Sequence, residues 1–275
     1  MKKPKLTNAA RPATFEVEAY NERGEMVPTS IAGEHPLTLY LNKREIVTLM
    51  TLGHAPEALA IGYLRNQRLV DSIGEIEAVQ VDWETDSVAV TTHAKKPVKA
   101  LDKKTVTSGC GQGTMFGDLM DEVDSIKLRD DVQLADADLF VLLEKVRKHE
   151  TIYKQAGAVH GCALATTAGE ILMFIEDVGR HNAVDAIAGR MWLDDIDGSD
   201  KVFYTTGRLT SEMVIKCAQM RVPFLVSRSG LTQMGHEIAK KVGITMLGRA
   251  SGRHYLAFTG KERLVRTSPQ PTALA

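Results

Sequence analysis

The sequence has little cysteine, few aromatic residues and almost no excess charge of either sign. Its 275 residues include three cysteines and 5% aromatic residues, and the formal net charge is −1. Three cysteines without a pair at metal-binding spacing argue for a reducing, cytoplasmic setting. The small net charge argues against nucleic-acid binding, which usually needs a strongly basic domain.

Segments that would mark export, a membrane or a zinc site are also missing. Lys2, Lys3 and Lys5 are not followed by the apolar stretch of a signal peptide. No run is long and apolar enough to cross a membrane, so we expect no membrane partner. His160-Gly161-Cys162 lacks the glutamate of the deaminase His-x-Glu pattern, and no Cys-x-x-Cys occurs anywhere, so zinc catalysis and metal ligands are not expected.

One of the three cysteines, Cys110, lies in a loop with little to pack against. Three glycines and three hydroxyl residues surround it between 107 and 114, and this composition disfavours both helix and strand. Five lysines between 95 and 104 precede it, and their positive charge favours thiolate over thiol. An exposed thiolate suits sulfur chemistry, whereas the alternative is an incidental loop cysteine. Cys162 and Cys217 lie in apolar patterns and are predicted to be core residues.

Before residue 95 the pattern predicts a small α+β domain. Alternating polar and apolar residues predict strands at 14–20, 37–41, 76–83 and 87–92. Asn42 is placed to cap a helix that ends near Leu52. A second helix is predicted to begin at Pro56, since proline is favoured in the first turn.

After residue 132 strands and helices alternate regularly. Strands are predicted at 157–165, 170–176, 201–206, 223–227, 244–248 and 254–259. Helices are predicted near 138–149, 180–192, 210–220 and 231–242. This alternation is typical of an α/β fold with a mostly parallel sheet between helices.

The chain is therefore predicted to have three parts. They are a small α+β domain at 14–95, a flexible loop carrying Cys110 at 96–131 and an α/β domain at 132–262. A long stretch without its own periodicity is usually functional or disordered, and we favour a function for 96–131 over a simple linker because it contains Cys110.

Arginines follow several of the predicted strands of the second half. Arg180, Arg208 and Arg228 each stand with hydroxyl residues or glycine just before a predicted helix, and a fourth polar segment runs from Arg249 to His254. The ends of parallel strands form the ligand-binding edge of such a sheet, where helix N-termini and arginine favour phosphate. The sequence therefore predicts a phosphorylated ligand, in preference to ordinary caps and surface ion pairs.

Two histidines near these strands are predicted to have different surroundings. His181 lies beside Asp177 and Asp185, and it is equally well explained as a structural hydrogen-bonding residue and as a ligand contact or proton relay. His160 lies in an apolar strand and is interpreted as a core histidine.

The strand-to-helix turns also carry a family resemblance. The strings EDVGRHNAVD at 176–185, TGRLTSEM at 206–213 and VSRS at 226–229 resemble the FdhD family of formate dehydrogenase accessory sulfurtransferases, and the likeness extends from about residue 14 to 260. The resemblance implies an α/β fold in which a C-terminal, cytidine-deaminase-like three-layer domain has lost its zinc site and follows a smaller N-terminal α+β domain. It also implies a homodimer.

The resemblance further implies a function. A persulfide on Cys110 would take sulfane sulfur from a cysteine desulfurase and pass it to the bis-molybdopterin guanine dinucleotide cofactor of molybdenum, required by the client formate dehydrogenase. The cofactor would be a bound ligand, with no tightly held cofactor of the protein's own. Its binding residues would be Arg249, Ala250, Ser251, Gly252, Arg253 and His254, joined by Arg180, His181, Arg208, Ser227 and Arg228.

One departure from the family separates the remaining hypotheses. The family usually carries Cys-x-x-Cys in the loop, whereas Gly113 replaces the second cysteine here. Persulfide exchange needs a single nucleophilic sulfur, so transfer through Cys110 stays open. Because the second thiol is missing, a second hypothesis stays open: the protein is a cofactor-binding chaperone without sulfur chemistry. A third, a hydrolase pairing Cys110 with His181, lacks an evident oxyanion site.

Overall fold

The computed structural model describes residues 3–94, 105–106, 113–114, 126–149 and 151–267. The strands of the first part are β1 (Lys5–Leu6), β2 (Thr14–Tyr20), β3 (Met26–Ala32), β4 (His35–Leu41), β5 (Arg44–Thr51), β6 (Ile76–Asp82) and β7 (Ser87–Thr92). Helix α1 covers Pro56–Asn66, and a 3-10 turn covers Ile73–Glu75. Two short strands, β8 (Thr105–Val106) and β9 (Gly113–Thr114), pair antiparallel.

The later strands are β10 (Leu134–Ala135), β11 (His160–Thr166), β12 (Ile171–Asp177), β13 (Lys201–Thr205), β14 (Phe224–Ser227), β15 (Thr245–Ser251), β16 (His254–Ala257) and β17 (Leu264–Val265). The helices are α2 (Asp136–Lys148), α3 (Ile152–Ala156), α4 (Arg180–Leu193), α5 (Ser211–Gln219) and α6 (Gln233–Val242). A second 3-10 turn covers Lys261–Arg263. The fold is mixed α/β, as the sequence predicts.

Contacts divide the chain into two compact units that interleave along the sequence. The described residues of Met1–Asp121, Glu150–Cys162 and Ile175–Ile196 form the first unit. Those of Glu122–His149, Ala163–Phe174 and Asp197–Ala275 form the second. The contacts thus place α4 with the N-terminal strands, although it begins at Arg180 and the last of those strands, β7, ends at Thr92. The division into 14–95, 96–131 and 132–262 as independently folding domains stays a prediction.

The first unit is built on a five-stranded sheet with the order β1-β6-β7-β4-β5. The apolar faces of its strands pack with α1 around a core that includes Leu37, Leu39, Leu59, Ile61 and Val79, each at most 1% exposed. Helix α4 packs closely against α1. A separate two-stranded sheet is formed by β2 and β3.

The predicted helix after Asn42 is wrong, because those residues form strand β5. Asn42 and Lys43 both have positive φ angles, 48° and 70°, and they form the two-residue turn that joins β4 to β5. Asparagine tolerates this conformation well, and such turns favour hairpins. The Asn42 amide also accepts a hydrogen bond from the Thr92 backbone N–H at 3.0 Å, so the turn is held to strand β7.

The second unit is centred on a six-stranded sheet with the order β12-β11-β13-β14-β15-β16. Strands β13, β14 and β15 pair in parallel, and β16 returns antiparallel to β15. Buried residues of these strands, including Val202, Phe224 and Leu247, form one core with Leu139 and Leu142 of α2. The parallel strands alternate with α5 and α6, which confirms the predicted order of elements from 201 to 259.

No helix within the described parts of the chain is long and apolar enough to cross a membrane. Over the same residues, no three histidine, cysteine or acidic side chains are grouped so that they could hold a metal ion.

Candidate functional site

The carboxyl ends of β13 and β14 lie side by side in the second unit, because the two strands are parallel neighbours with Thr205 opposite Ser227. Ser227 is fully buried, and its hydroxyl donates to the Gly207 carbonyl oxygen at 2.6 Å. The Ser227 hydroxyl oxygen also accepts from the Ser229 backbone N–H at 2.9 Å. The Gly207 N–H in turn donates to the Thr205 hydroxyl at 3.1 Å. Ser227 therefore connects the loop after β13 to its own loop after β14.

Backbone hydrogen bonds continue this connection. The Leu209 N–H donates to the Gly230 carbonyl at 3.0 Å, and the Thr232 N–H donates back to the Leu209 carbonyl at 3.1 Å. Gly235 lies so close that a Cβ there would be 2.7 Å from the Leu209 carbonyl oxygen. A larger residue at 235 would push the two loops apart, because backbone cannot yield as a side chain does.

A third loop joins at the end of β15. The Arg249 N–H donates to the Ser229 carbonyl at 2.9 Å. Arg249 has a φ of 51°, in the left-handed region that few residues other than glycine adopt. The β15–β16 pairing is irregular between Gly248 and Ser251, so the strand bends at this arginine. Local strain of this kind clusters at functional sites.

The predicted ligand residues of the second unit thus come together in three connected loops. The side chains of Arg208, Arg228, Arg249, Arg253 and His254 are exposed, as are Ser251 and Gly252, whereas Ser227 and Ala250 are buried. Exposed guanidinium groups on a fixed backbone can fork onto phosphate oxygens. Ser227 has a different role from the arginines, since its hydroxyl holds the loops rather than facing solvent.

Helix α5 begins within this group of loops. Thr210 is its N-cap residue, and Glu212 lies in the first turn. Glu212 and Lys216 are both almost completely buried and approach to 3.4 Å, one helical turn apart. The i to i+4 spacing of this pair is visible in the sequence, but its burial is not. Such a pair keeps two buried charges compensated inside the unit.

The sequence motif at 176–182 lies in the first unit and forms a different constellation. The Asp177 carboxylate accepts from the Thr51 hydroxyl at 2.5 Å, from the Asn182 amide at 3.0 Å and from the Gly179 N–H at 3.4 Å. The Asn182 amide nitrogen also donates to the Met50 carbonyl at 2.6 Å. These bonds attach the start of α4 to the end of β5.

Burial controls the protonation of this carboxyl group. The loss of solvent raises the pKa of Asp177 to about 6, although the hydrogen bonds from Thr51, Asn182, Gly179 and Leu52 oppose the rise. The donors favour the charged carboxylate, but four hydrogen bonds do not fully replace water. Asp177 is therefore a buried acid that changes charge close to neutral pH. No signal in the sequence points to Thr51 as its partner, since 126 positions separate the two residues.

Arg180 and His181 are buried in the first unit, at 5% and 2% exposure. They lie in the first turn of α4, whose residues are buried on nearly all sides. One turn later, the Asp185 carboxylate accepts from the Asn66 amide of α1 at 2.7 Å. The structure therefore brings Arg208, Arg228 and Arg249 together but places Arg180 and His181 in the other unit. Their role as ligand contacts stays a prediction.

Glu176, just before Asp177, supports a short helix. Its two carboxylate oxygens accept from the backbone N–H groups of Ile152 and Tyr153, at 2.7 and 3.1 Å. An acidic side chain at this end of a helix is favoured by the unsatisfied N–H groups there. The acidic residues of the motif at 176–182 thus have a largely structural role.

The three cysteines divide as the sequence predicts, as far as the structure describes them. Cys162 and Cys217 are both fully buried. Because neither thiol reaches the surface, both are unsuited to exchanging sulfur with another protein. Cys110 lies outside the described residues. Its predicted exposure and persulfide chemistry therefore stay predictions from the sequence.

Comparison with known proteins adds a consistent set of similarities. A model of the FdhD/NarQ family matches residues 32–265. The Sulfur carrier protein FdhD of Listeria innocua is 30% identical over 254 residues, which cover 91% of this chain and 95% of that protein. The protein of the same name from Sulfurisphaera tokodaii is 30% identical over 251 residues, covering 89% and 95%.

A solved structure shares the fold. A crystal structure from Desulfotalea psychrophila, described as that of a formate dehydrogenase accessory protein, superimposes with a TM-score of 0.75 at 26% sequence identity. The match covers 92% of this chain and all of that chain. The similarity thus extends over both compact units.

Proposed function

Since the chain belongs to the FdhD/NarQ family, we propose that it is a sulfur carrier that serves a formate dehydrogenase. In this proposal Cys110 accepts sulfane sulfur from a cysteine desulfurase and delivers it to the bis-molybdopterin guanine dinucleotide of molybdenum, before the dehydrogenase receives that cofactor. The relatives named Sulfur carrier protein FdhD support the sulfur-carrier role, and the solved accessory protein supports a formate dehydrogenase as the client.

The first chemical step is a thiol exchange. The Cys110 thiolate attacks the terminal sulfur of the donor's persulfide, a new S–S bond forms, and the donor cysteine leaves as a thiolate. The step needs no external oxidant or reductant, because one S–S bond replaces another. A second thiol in the loop is not required, which accommodates Gly113. The buried Cys162 and Cys217 take no part.

The cofactor that accepts the sulfur is an anion. The observation that supports this part of the proposal is a set of loops suited to binding anions. The guanine dinucleotide bears diphosphates, and the second unit offers three connected loops with exposed Arg208, Arg228, Arg249 and Arg253 beside the start of α5. Backbone N–H groups and guanidinium groups fit phosphate oxygens. The cofactor enters as substrate, and the protein's share of the work is to bind and orient it.

We extend the proposal to the assembly and its setting. The second unit would have the cytidine-deaminase-like three-layer arrangement without its zinc, the chain would form a homodimer, and the protein would act in the cytoplasm. The parallel order of β13, β14 and β15 between helices is compatible with such layers. Sedimentation of the purified protein at micromolar concentration tests the dimer.

Intact mass tests the carrier role. After incubation with a cysteine desulfurase and cysteine, the protein should gain one sulfur atom, which dithiothreitol removes. The Cys110→Ala variant should gain none, whereas Cys162→Ala should load like wild type because its thiol is buried. Sulfur mapped to Cys162 or Cys217 would contradict the assignment.

Calorimetry with GDP tests the anion site. Arg228→Ala should weaken GDP binding about tenfold, as expected for loss of one forked arginine–phosphate contact. Arg266→Ala, which removes an exposed arginine outside the three loops, should leave the affinity within about twofold of wild type. Wild-type protein that does not bind GDP at low salt would contradict the site.

A chaperone without sulfur chemistry is the second candidate function. The replacement of the second loop cysteine by Gly113 favours it. In that case Cys110→Ala would still bind GDP and still restore formate dehydrogenase activity to cells that lack the protein. Under the carrier proposal, the same variant binds GDP but restores no activity.

A further inference from the structure

The antiparallel sheet of β2 and β3 is a two-stranded ribbon, defined here as residues 14–32. Its strands pair in full register from Thr14 opposite Ala32 to Tyr20 opposite Met26. Within the described parts of the chain, neither strand has a third strand beside it. The outer edges of the ribbon therefore offer backbone N–H and C=O groups to another chain. Pro28 removes one donor from the edge of β3.

The turn of the ribbon is fixed by one side chain. The Asn21 amide oxygen accepts from the N–H groups of Arg23 and Glu25 at 2.9 and 3.0 Å, and its nitrogen donates to the Glu25 carboxylate at 2.8 Å. The Gly24 N–H closes the turn onto the Asn21 carbonyl at 3.0 Å. A turn with this many internal bonds has little freedom to lose on binding, which lowers the entropic cost of an interface.

Large apolar side chains are exposed along the ribbon. Tyr20 is 74% exposed, and its strand partner Met26 is 52% exposed. Phe15 and Ile31, another facing pair, are 43% and 48% exposed, and Val27 is also exposed. Because side chains alternate between the two faces of a strand, Tyr20 and Met26 share one face of the ribbon with Glu16 and Glu18, whereas Phe15, Val27 and Ile31 lie on the other face. A single exposed apolar residue is ordinary, but a facing pair as exposed as Tyr20 and Met26, with acidic side chains beside it, is a surface of the kind that binds proteins.

The ribbon is also acidic. Glu16, Glu18, Glu22 and Glu25 are all exposed, and Arg23 is the one cation between residues 14 and 32. Four acids and one base give the ribbon a net charge of −3, while the whole chain has −1, so the remaining residues sum to +2. The acidity is thus concentrated on the ribbon. It repels the anionic cofactor and attracts a partner with a basic surface.

We propose that the ribbon docks the protein that donates sulfur to this chain, through a surface on which basic residues surround an apolar patch. The inference rests on the proposed function, because a persulfide can pass between two cysteines only while the donor and the carrier are in contact. The exposed Tyr20 and Met26 supply the apolar centre, and the glutamates supply the charged rim, the usual plan of a protein interface.

Two ribbon variants and two matched controls test the docking surface. Glu18→Lys with Glu22→Lys reverses the rim charge, and Tyr20→Ser with Met26→Ser removes apolar area from a facing pair. Glu262→Lys and Met234→Ser make the same kinds of change at exposed positions of the second unit. Circular dichroism and the thermal midpoint check folding, and the charge variant keeps the test decisive if the apolar variant does not fold.

Binding of each purified protein to a purified cysteine desulfurase is then measured by biolayer interferometry. Each ribbon variant should bind about tenfold more weakly than wild type at low salt, as for loss of interface hot spots or rim charges, while the controls stay within about twofold. Raising the salt concentration should weaken wild-type binding more than that of the charge variant. Equal binding by all variants, or no binding by wild type, would overturn the proposal.

Loading of Cys110 separates failure of the docking surface from failure of the proposed function. With the desulfurase and cysteine, the ribbon variants should load more slowly than wild type, whereas a small persulfide such as glutathione persulfide should load all of them equally. If wild type takes sulfur from neither donor, the carrier function itself fails. Light scattering supplies the last outcome, since a ribbon variant that changes from dimer to monomer would assign the surface to a second copy of this chain.

Discussion

Gly62 of α1 and Gly189 of α4 mark a place where two helices of the first unit touch backbone to backbone. A Cβ added at Gly62 would lie 1.6 Å from the Asp185 carbonyl oxygen, and one at Gly189 would lie 1.9 Å from the Ala58 carbonyl oxygen. Side-chain bonds flank the crossing. The Arg65 guanidinium donates to the Ala188 carbonyl at 2.7 Å, and Asn66 donates to Asp185.

We predict that Gly62→Ala destabilises the protein by about 3 kcal/mol or more, at the upper end of overpacking effects, because backbone atoms must move apart. Chemical denaturation measures the change. Gly230→Ala is the matched control, since no atom lies within 4 Å of its added methyl group and its φ is not positive. That control should be neutral or slightly stabilising. Equal stability of the two variants would mean that the helices are not in backbone contact.

Asp177 should make stability fall as pH rises through its titration. Its pKa is raised from 3.8 to about 6, so the folded chain holds more protons than the unfolded chain between these values. The free energy of unfolding therefore decreases with rising pH across this window, by on the order of 3 kcal/mol for a shift of this size. Below pH 3.8 the contribution is constant.

Asp177→Asn tests this assignment because it keeps the shape and removes the charge. Its amide oxygen can still accept from Asn182 and Gly179, and the Thr51 hydroxyl can turn to accept from the new amide nitrogen. We expect the pH dependence of unfolding between about pH 4 and 6 to become flatter than in wild type. Glu176→Gln is the control, and a similar flattening there would place the titration elsewhere.

His35 should change the stability in the opposite direction as the pH rises. Its Nδ1 lies 3.2 Å from an Arg11 Nη1 that can only donate, so the ring must be neutral with the proton on Nε2. Partial burial and the nearby Arg11 charge lower the pKa of His35 below its usual 6.5, while Asp86 opposes them. Stability supplied by the neutral ring is therefore lost as pH falls below about 6.5.

NMR titration of the ring gives the most direct measurement. We expect a pKa below 6.5 for His35, and a higher value in an Arg11→Gln variant, where the neighbouring charge is gone. The stacking of Arg11 on Trp83, with the guanidinium 4.6 Å from the ring centroid, should be lost in the same variant. An unchanged His35 titration would rule out Arg11 as its electrostatic partner.

Ser227→Ala should weaken both the second unit and its anion site. The substitution leaves the Gly207 carbonyl and the Ser229 N–H without their shared hydroxyl, and an unsatisfied buried group costs about 1–3 kcal/mol. We therefore expect lower stability and weaker GDP binding together. Ser229→Ala keeps the backbone N–H that Ser227 accepts from, so its effect on stability should be much smaller. Calorimetry and denaturation of both variants decide between these expectations.

The sequence by itself determined the regular second half. Apolar periodicity and glycine or hydroxyl residues at the turns located α4, β13, α5, β14 and α6 within a few positions, because these signals are local. Parallel neighbours also place the ends of their strands at one edge, so the meeting of the loops around Arg208 and Arg228 could be predicted. The buried state of Cys162 and Cys217 followed from the same apolar patterns.

Strand β5 is the element for which the local sequence pattern predicted the wrong structure, a helix. Its pairing with β4 is irregular at Leu39 and Tyr40, which face Val47 and Glu45 and leave Ile46 as an extra residue. The extra residue shifts the alternation, so that buried Ile46 and Leu49 stand three positions apart, as on a helix. Only the partner strand reveals that the spacing belongs to a bulge.

The tertiary structure alone decided which polar residues share a site. Asp177 and Thr51, or Asp185 and Asn66, meet because α4 packs on α1 and β5 across more than a hundred positions of sequence. The motif at 176–182 gave no sign that its arginine and histidine would be buried in the first unit. A side chain's burial and its partners depend on which distant segments cover it, and one sequence records neither.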